Sequence, residues 1–198
     1  MSATSEALIN LVAGTVRGWR GASTFAPARH KPAKTLKLYD MEASPYCRLV
    51  REVLTELDLD VLILPCPVGG TRFRAEAERL GGKQQFPLLV DENTGNVLYE
   101  SADIIEHLRS TYGQRKRPLN RSLRPLAVGS SFVSSALLWR PGGVMGLRAR
   151  PSKAPAQPLQ LYSFEASPYS KPVRARLCEL ELPYLLRLVP ETRAAVER

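Results

Sequence analysis

Leu36, Leu38 and Tyr39 make a short apolar run, and after Pro45 the pattern changes period: Leu49, Val50, Val53, Leu54 and Leu57 recur at helical spacing. The first stretch predicts a strand over Leu36–Tyr39, the second one face of a helix over Pro45–Leu57. Val61–Leu64 is apolar throughout, as expected of a strand buried on both faces. Strand, helix and strand in this order form a βαβ unit with parallel strands and a right-handed crossover. Further on, the pattern predicts a helix over Arg72–Leu80, ended by Gly81-Gly82. Strands follow over Pro87–Asp91 and Asn96–Tyr99, joined through the turn residues Asn93-Thr94-Gly95. A last helix covers Ala102–Tyr112, with Ile104, Ile105 and Leu108 inward and Gly113 past its end.

The opening pattern then returns. Residues 159–183 read LQLYSFEASPYSKPVRARLCELELP, against LKLYDMEASPYCRLVREVLTELDLD at 36–60, so that Ser44 maps onto Ser167. A strand at Leu159–Tyr162, a helix at Pro168–Leu180 and a strand at Tyr184–Val189 are predicted, with no counterpart of residues 71–112 after them. A βαβ fragment alone exposes a sheet edge and an apolar helix face. The second unit is therefore expected either to belong to a longer protein or to dock onto the first. The division is 1–34 as an N-terminal extension, 35–112 as a compact first unit, 113–157 as a basic linker and 158–198 as a partial second unit.

The connecting segments carry the charge. Of the net +9, residues 113–157 hold nine basic and no acidic side chains, whereas 36–112 is acidic. Such a linker reads as a solvated connector, and with no interleaved aromatics nucleic acid is not an expected partner. Leu126–Leu138 is only thirteen residues with four serines, short of the about 20 apolar residues a membrane span needs. It predicts a short helix between the units; a peripheral membrane helix with basic flanks is the alternative. The apolar residues of Ala7–Trp19 suit a soluble extension packed on the first unit, while Arg17, Arg20 and Arg29 in acid-poor sequence leave organelle import open. Cys47, Cys66 and Cys178 are too few and scattered for a disulfide framework, which implies a reducing, cytoplasmic setting.

Chemistry concentrates at Ser44-Pro45-Tyr46-Cys47. Serine suits the position before a helix and proline the first position within it. The free N–H groups and partial positive charge of a helix start favour a thiolate nearby. Two further motifs follow, Gln85-Phe86-Pro87 and Tyr99-Glu100-Ser101-Ala102-Asp103-Ile104-Ile105. On these three motifs the first unit resembles the N-terminal domain of glutathione transferases, and glutaredoxins. The whole chain is similar to proteins of bacteria and plastids that carry two such domains in tandem. The resemblance implies an α/β thioredoxin-like fold, βαβαββα, as a tandem repeat with the second unit incomplete.

It also implies roles. A glutaredoxin places its nucleophilic cysteine where this chain has Ser44, which argues against dithiol exchange and leaves a serine-type arrangement in which the hydroxyl meets the glutathione sulfur. Cys47, at the resolving position without a partner, is a secondary catalytic candidate and reads first as a packed thiol. A cis Phe86–Pro87 bond would turn the Phe86 backbone toward the cysteinyl part of glutathione; otherwise Pro87 simply starts a strand. Glu100 would meet the γ-glutamyl ammonium and Ser101 its carboxylate; otherwise Ser101 caps the helix. No residue is assigned to a metal. The second unit, with Ser167-Pro168-Tyr169-Ser170, is not expected to bind glutathione. The linker is too short for the helical domain of the transferases. The expectation is thus a glutathione-binding protein with no more than weak transferase or thiol-linked activity; the alternative is a non-catalytic scaffold that has lost its redox cysteines.

Overall fold

A computed structural model describes residues 24, 27–114, 139–140 and 143–188. The extension segment Ala7–Trp19 and the helix expected within Leu126–Leu138 lie outside the described residues. The first unit contains β1 (Leu36–Asp40), α1 (Pro45–Glu56), β2 (Val61–Pro65), α2 (Arg74–Gly81), β3 (Leu88–Asp91), β4 (Asn96–Leu98) and α3 (Ser101–Thr111). A two-stranded ladder of β5 (Trp139–Arg140) and β6 (Gly143–Val144) follows. The second unit is β7 (Leu159–Ser163), α4 (Ser170–Glu179) and β8 (Tyr184–Leu188).

All strands except β5 and β6 join one sheet in the order β4-β3-β1-β2-β8-β7. β1 and β2 run parallel, Leu36 opposite Val61 and Leu38 opposite Ile63, as a βαβ crossover requires. β3 returns antiparallel against β1, and β4 folds back on β3. The helical face of α1 delivers Leu49, Val50, Val53, Leu54 and Leu57 to a core closed by Leu36, Leu38, Leu89, Ile104, Ile105 and Leu108. Asp91, at the end of β3, fastens α3 to the sheet. It accepts from the Tyr112 hydroxyl at 2.7 Å and pairs with His107 Nε2 at 2.8 Å. Burial alone would raise its pKa; the hydrogen bonds from His107, Asn93 and Tyr112 overcome that and hold it at about 2. Residues before β1 also pack here, the Ala28 amide donating to the Leu57 carbonyl and the Arg29 amide to that of Tyr112.

The second unit docks through its last strand. β8 lies antiparallel against β2, with Val61 opposite Leu186, Leu62 opposite Leu185 and Ile63 opposite Tyr184. Each strand of β7 and β8 sits 123 positions after β1 and β2 respectively. The pairing is therefore reciprocal: under that offset Val61–Leu186 becomes Tyr184–Ile63, and Leu62–Leu185 lies on a local twofold axis. An isologous contact, ordinarily found between two copies of a protein, here joins two segments of one chain.

Charge at the junction obeys the same axis. Arg51 and Arg174, equivalent under the offset, are fully buried. Arg51 donates to Asp40 at 2.7 Å and through Nε to Glu165 at 2.9 Å. Arg174 reaches Glu42 at 3.2 Å and Glu165 at 3.2 Å, and Arg51 lies 3.4 Å from Glu42. Each unit thus contributes one arginine and one glutamate to a closed cluster. Burial pushes Asp40 up to about 6, against the pull of Arg51.

Element boundaries differ from expectation where a side chain has a second use. α2 begins at Arg74 rather than Arg72. The Arg72 amide instead donates to Glu181 Oε1 at 3.0 Å, and its guanidinium to the carbonyls of Leu180, Glu181 and Ser152. α4 begins at Ser170 rather than Pro168.

Candidate functional site

The loop after β1 is shaped by Ser44. Its amide donates to the Met41 carbonyl at 2.9 Å, and its Oγ accepts from the Cys47 amide at 3.3 Å, with Pro45 as the first helical residue. A serine oxygen thereby takes one of the free N–H groups of the helix start. Ser44 is 5% exposed and Cys47 fully buried. Burial, reinforced by the Asp40 charge, pushes the Cys47 thiol far above its ordinary value. Desolvation outweighs the helix start, and the thiol stays protonated. Cys66 and Cys178 are also free and buried, with thiols raised chiefly by burial.

The second motif follows α2. The Phe86–Pro87 bond is cis, and the Arg74 guanidinium lies 4.9 Å from the centre of the Phe86 ring. Phe86 makes no backbone hydrogen bond among the described residues. The third motif opens α3, with one difference from the sequence reading: Glu100, not Ser101, occupies the cap position, and Ser101 is the first helical residue. Glu100 holds φ 60° and ψ 118°, a region that side chains other than glycine rarely enter. Its carboxylate accepts from Gln85 Nε2. Ser101 is 4% exposed.

Strand direction brings the motifs to one place. Ser44 follows the C-terminal end of β1, Pro87 precedes the N-terminal end of β3, and Glu100 follows the C-terminal end of β4. Because β3 runs antiparallel to both β1 and β4, these three ends lie at the same edge of the sheet. A direct contact joins the second and third motifs through Gln85 and Glu100; Ser44 is brought alongside by the sheet, not by a bond to either. In the second unit the Ser167 Oγ likewise accepts from the amide three residues on, that of Ser170 at 3.2 Å, although Tyr169 holds the cap position of α4.

The sequence reading missed the buried cluster of Asp40, Glu42, Arg51, Glu165 and Arg174. The signal was present: glutamate at 42 and 165, and arginine at 51 and 174, survive in both copies of the repeat, as few polar residues besides Ser44/Ser167 and Glu56/Glu179 do. No group of residues with metal-binding geometry occurs among the described residues. Nor is any described helix long and apolar enough to cross a membrane.

The sequence model of the glutathione S-transferase N-terminal domain matches residues 38–116. Among solved structures, a glutathione transferase of Bombyx mori matches with 29% identity and a TM-score of 0.38, over 48% of this chain and 45% of that one. The chain thus spans less than half the length of that relative. No curated protein matches the chain. Residues 38–116, which contain all three motifs, are similar in sequence to the N-terminal domain of glutathione S-transferases.

Proposed function

We propose that the first unit binds glutathione at the sheet edge where the three motifs meet. The observation that carries the reading is Glu100, held at positive φ at the start of α3 and bonded to Gln85. A side chain kept in an unfavourable backbone region points to a site that uses it. Glu100 takes the γ-glutamyl ammonium, while the Ser101 hydroxyl and the first-turn amides of α3 take the carboxylate. The backbone groups of Phe86 are available to the cysteinyl residue. Ser44 already accepts from Cys47, and its O–H remains to donate to the glutathione sulfur. The chemistry stops at binding and thiolate stabilisation: serine replaces the redox cysteine, and Cys47 is buried and protonated. Three free thiols suit a reducing, cytoplasmic setting.

A second reading, a scaffold that kept the fold without the ligand, is favoured by the low exposure of Ser44. Calorimetric titration of glutathione into the full chain separates the two. Saturable binding that weakens about tenfold or more in Ser101→Ala is expected, the loss of one charge-assisted hydrogen bond. Absence of heat at millimolar glutathione, with native circular dichroism, would leave the scaffold reading standing.

A further inference from the structure

Arg48 and Lys171 are equivalent under the 123-residue offset, each one helical turn before the central arginine of its unit. Both are buried, 4% and 6% exposed. Among the described residues, Arg48 Nη1 and Lys171 Nζ are enclosed without a hydrogen-bond partner. A buried cationic donor left unpaired is expensive, and two that feel each other more so. The acids around them are engaged. Glu42 and Glu165 are held by Arg51 and Arg174, Asp40 accepts both its bonds from Arg51, and Glu52 accepts from Arg48 Nε at 3.3 Å. From these placements we propose that Arg48 and Lys171 form an enclosed binding site for a small free oxyanion, of the phosphate or sulfate type, at the junction of the two βαβ units.

The local twofold supplies the geometry. Arg51 meets Glu165 and Arg174 meets Glu42 across the axis, and three residues earlier on the same helix faces Arg48 acts on Glu165 while Lys171 is acted on by Glu42, Glu165 and Arg48. Burial first, and then the Arg48 charge, pushes Lys171 down to about 7, with Glu42 and Glu165 opposing and Arg174 adding to the fall. An anion between Arg48 and Lys171 accepts from both donors and cancels their repulsion. Water would satisfy a donor but leave the charges facing each other. The enclosure of both nitrogens selects a free inorganic ion over the phosphate group of a larger molecule.

The test is titration of the full chain with inorganic phosphate at about pH 6.5, below the Lys171 value, with chloride keeping ionic strength constant. Saturable binding is expected by calorimetry and by phosphorus NMR. Lys171→Gln and Arg48→Gln each weaken it about tenfold or more, the size of one lost charge-assisted bond, while Lys171→Arg retains it. If a variant fails to fold, the native chain still decides. Phosphate should raise the thermal unfolding midpoint of the native chain in a saturable way, beyond the effect of chloride at the same ionic strength. No saturable binding to the native chain overturns the proposal. So does binding that a folded Lys171→Gln variant leaves unchanged, or an unfolding midpoint indifferent to phosphate.

Discussion

Arg51 holds a full charge among three carboxylates, Asp40, Glu42 and Glu165, with almost no water beside it. The attraction of its three partners keeps it protonated against the cost of burial. Such a residue adds little compared with a well-packed apolar one, but its removal leaves partners stranded. Arg51→Ala is therefore expected to cost about 3–5 kcal/mol of stability, measured by urea unfolding. Glu165→Gln should cost less in the Arg51→Ala background than in the native one, because the carboxylate has by then lost one of its two arginine partners, Arg174 being the other. Additive losses would mean that the two side chains do not interact. Residues of this kind are where the sequence is hardest to read. Arginine and glutamate on an amphipathic helix normally face solvent, and nothing in the spacing of a single unit says otherwise. Only the comparison of both copies marks positions 42, 51, 165 and 174 as fixed together.

Elements were easier to read than residues, because each is defined by a period and a cap. α1 shows why: Ser44, Pro45 and the apolar stripe from Leu49 to Leu57 specify start, direction and buried face within fourteen residues. Since the Ser44 oxygen accepts from the Cys47 amide, Ser44→Ala is expected to cost about 0.5–2 kcal/mol in the absence of glutathione. Ser167→Ala should cost a similar amount, because its oxygen takes the Ser170 amide in the same way. Unfolding midpoints of both variants check this. A Ser44→Ala protein as stable as the parent would show that the hydroxyl is not needed as a cap. Boundaries failed where tertiary contacts overrode the local pattern. Arg72 gives up a place in α2 to bind the second unit, and Glu100 takes the cap position that the sequence assigned to Ser101. The three motifs of the candidate site were legible by order, but their meeting at one sheet edge depends on strand directions that only the assembled sheet supplies.

At the scale of the molecule, the question left by the sequence was what covers the short second unit. The answer is β2, the strand that would otherwise form the free edge of the first unit. Both units thereby cover one exposed edge each with a single ladder, and the reciprocal register places apolar residues opposite one another, with the equivalent pair Leu62 and Leu185 at the centre. Tyr184, Leu186 and Leu188 of β8 enter the same apolar cluster as Leu36, Leu54 and Ile63. A core shared in this way, bracketed by the ion pairs of Arg51 with Glu165 and Arg174 with Glu42 that cross between the units, leaves little for either half to keep by itself. The two units are therefore expected to unfold as one cooperative body. Hydrogen exchange makes the distinction directly. If the junction is cooperative, the slowest amides of β1 and β8 report the same opening free energy, equal to that of global unfolding. They should also lose protection together when Leu185→Asp places an unpaired charge on the axis. Faster exchange throughout β8, with β1 still protected, would mean that the second unit detaches while the first stays folded.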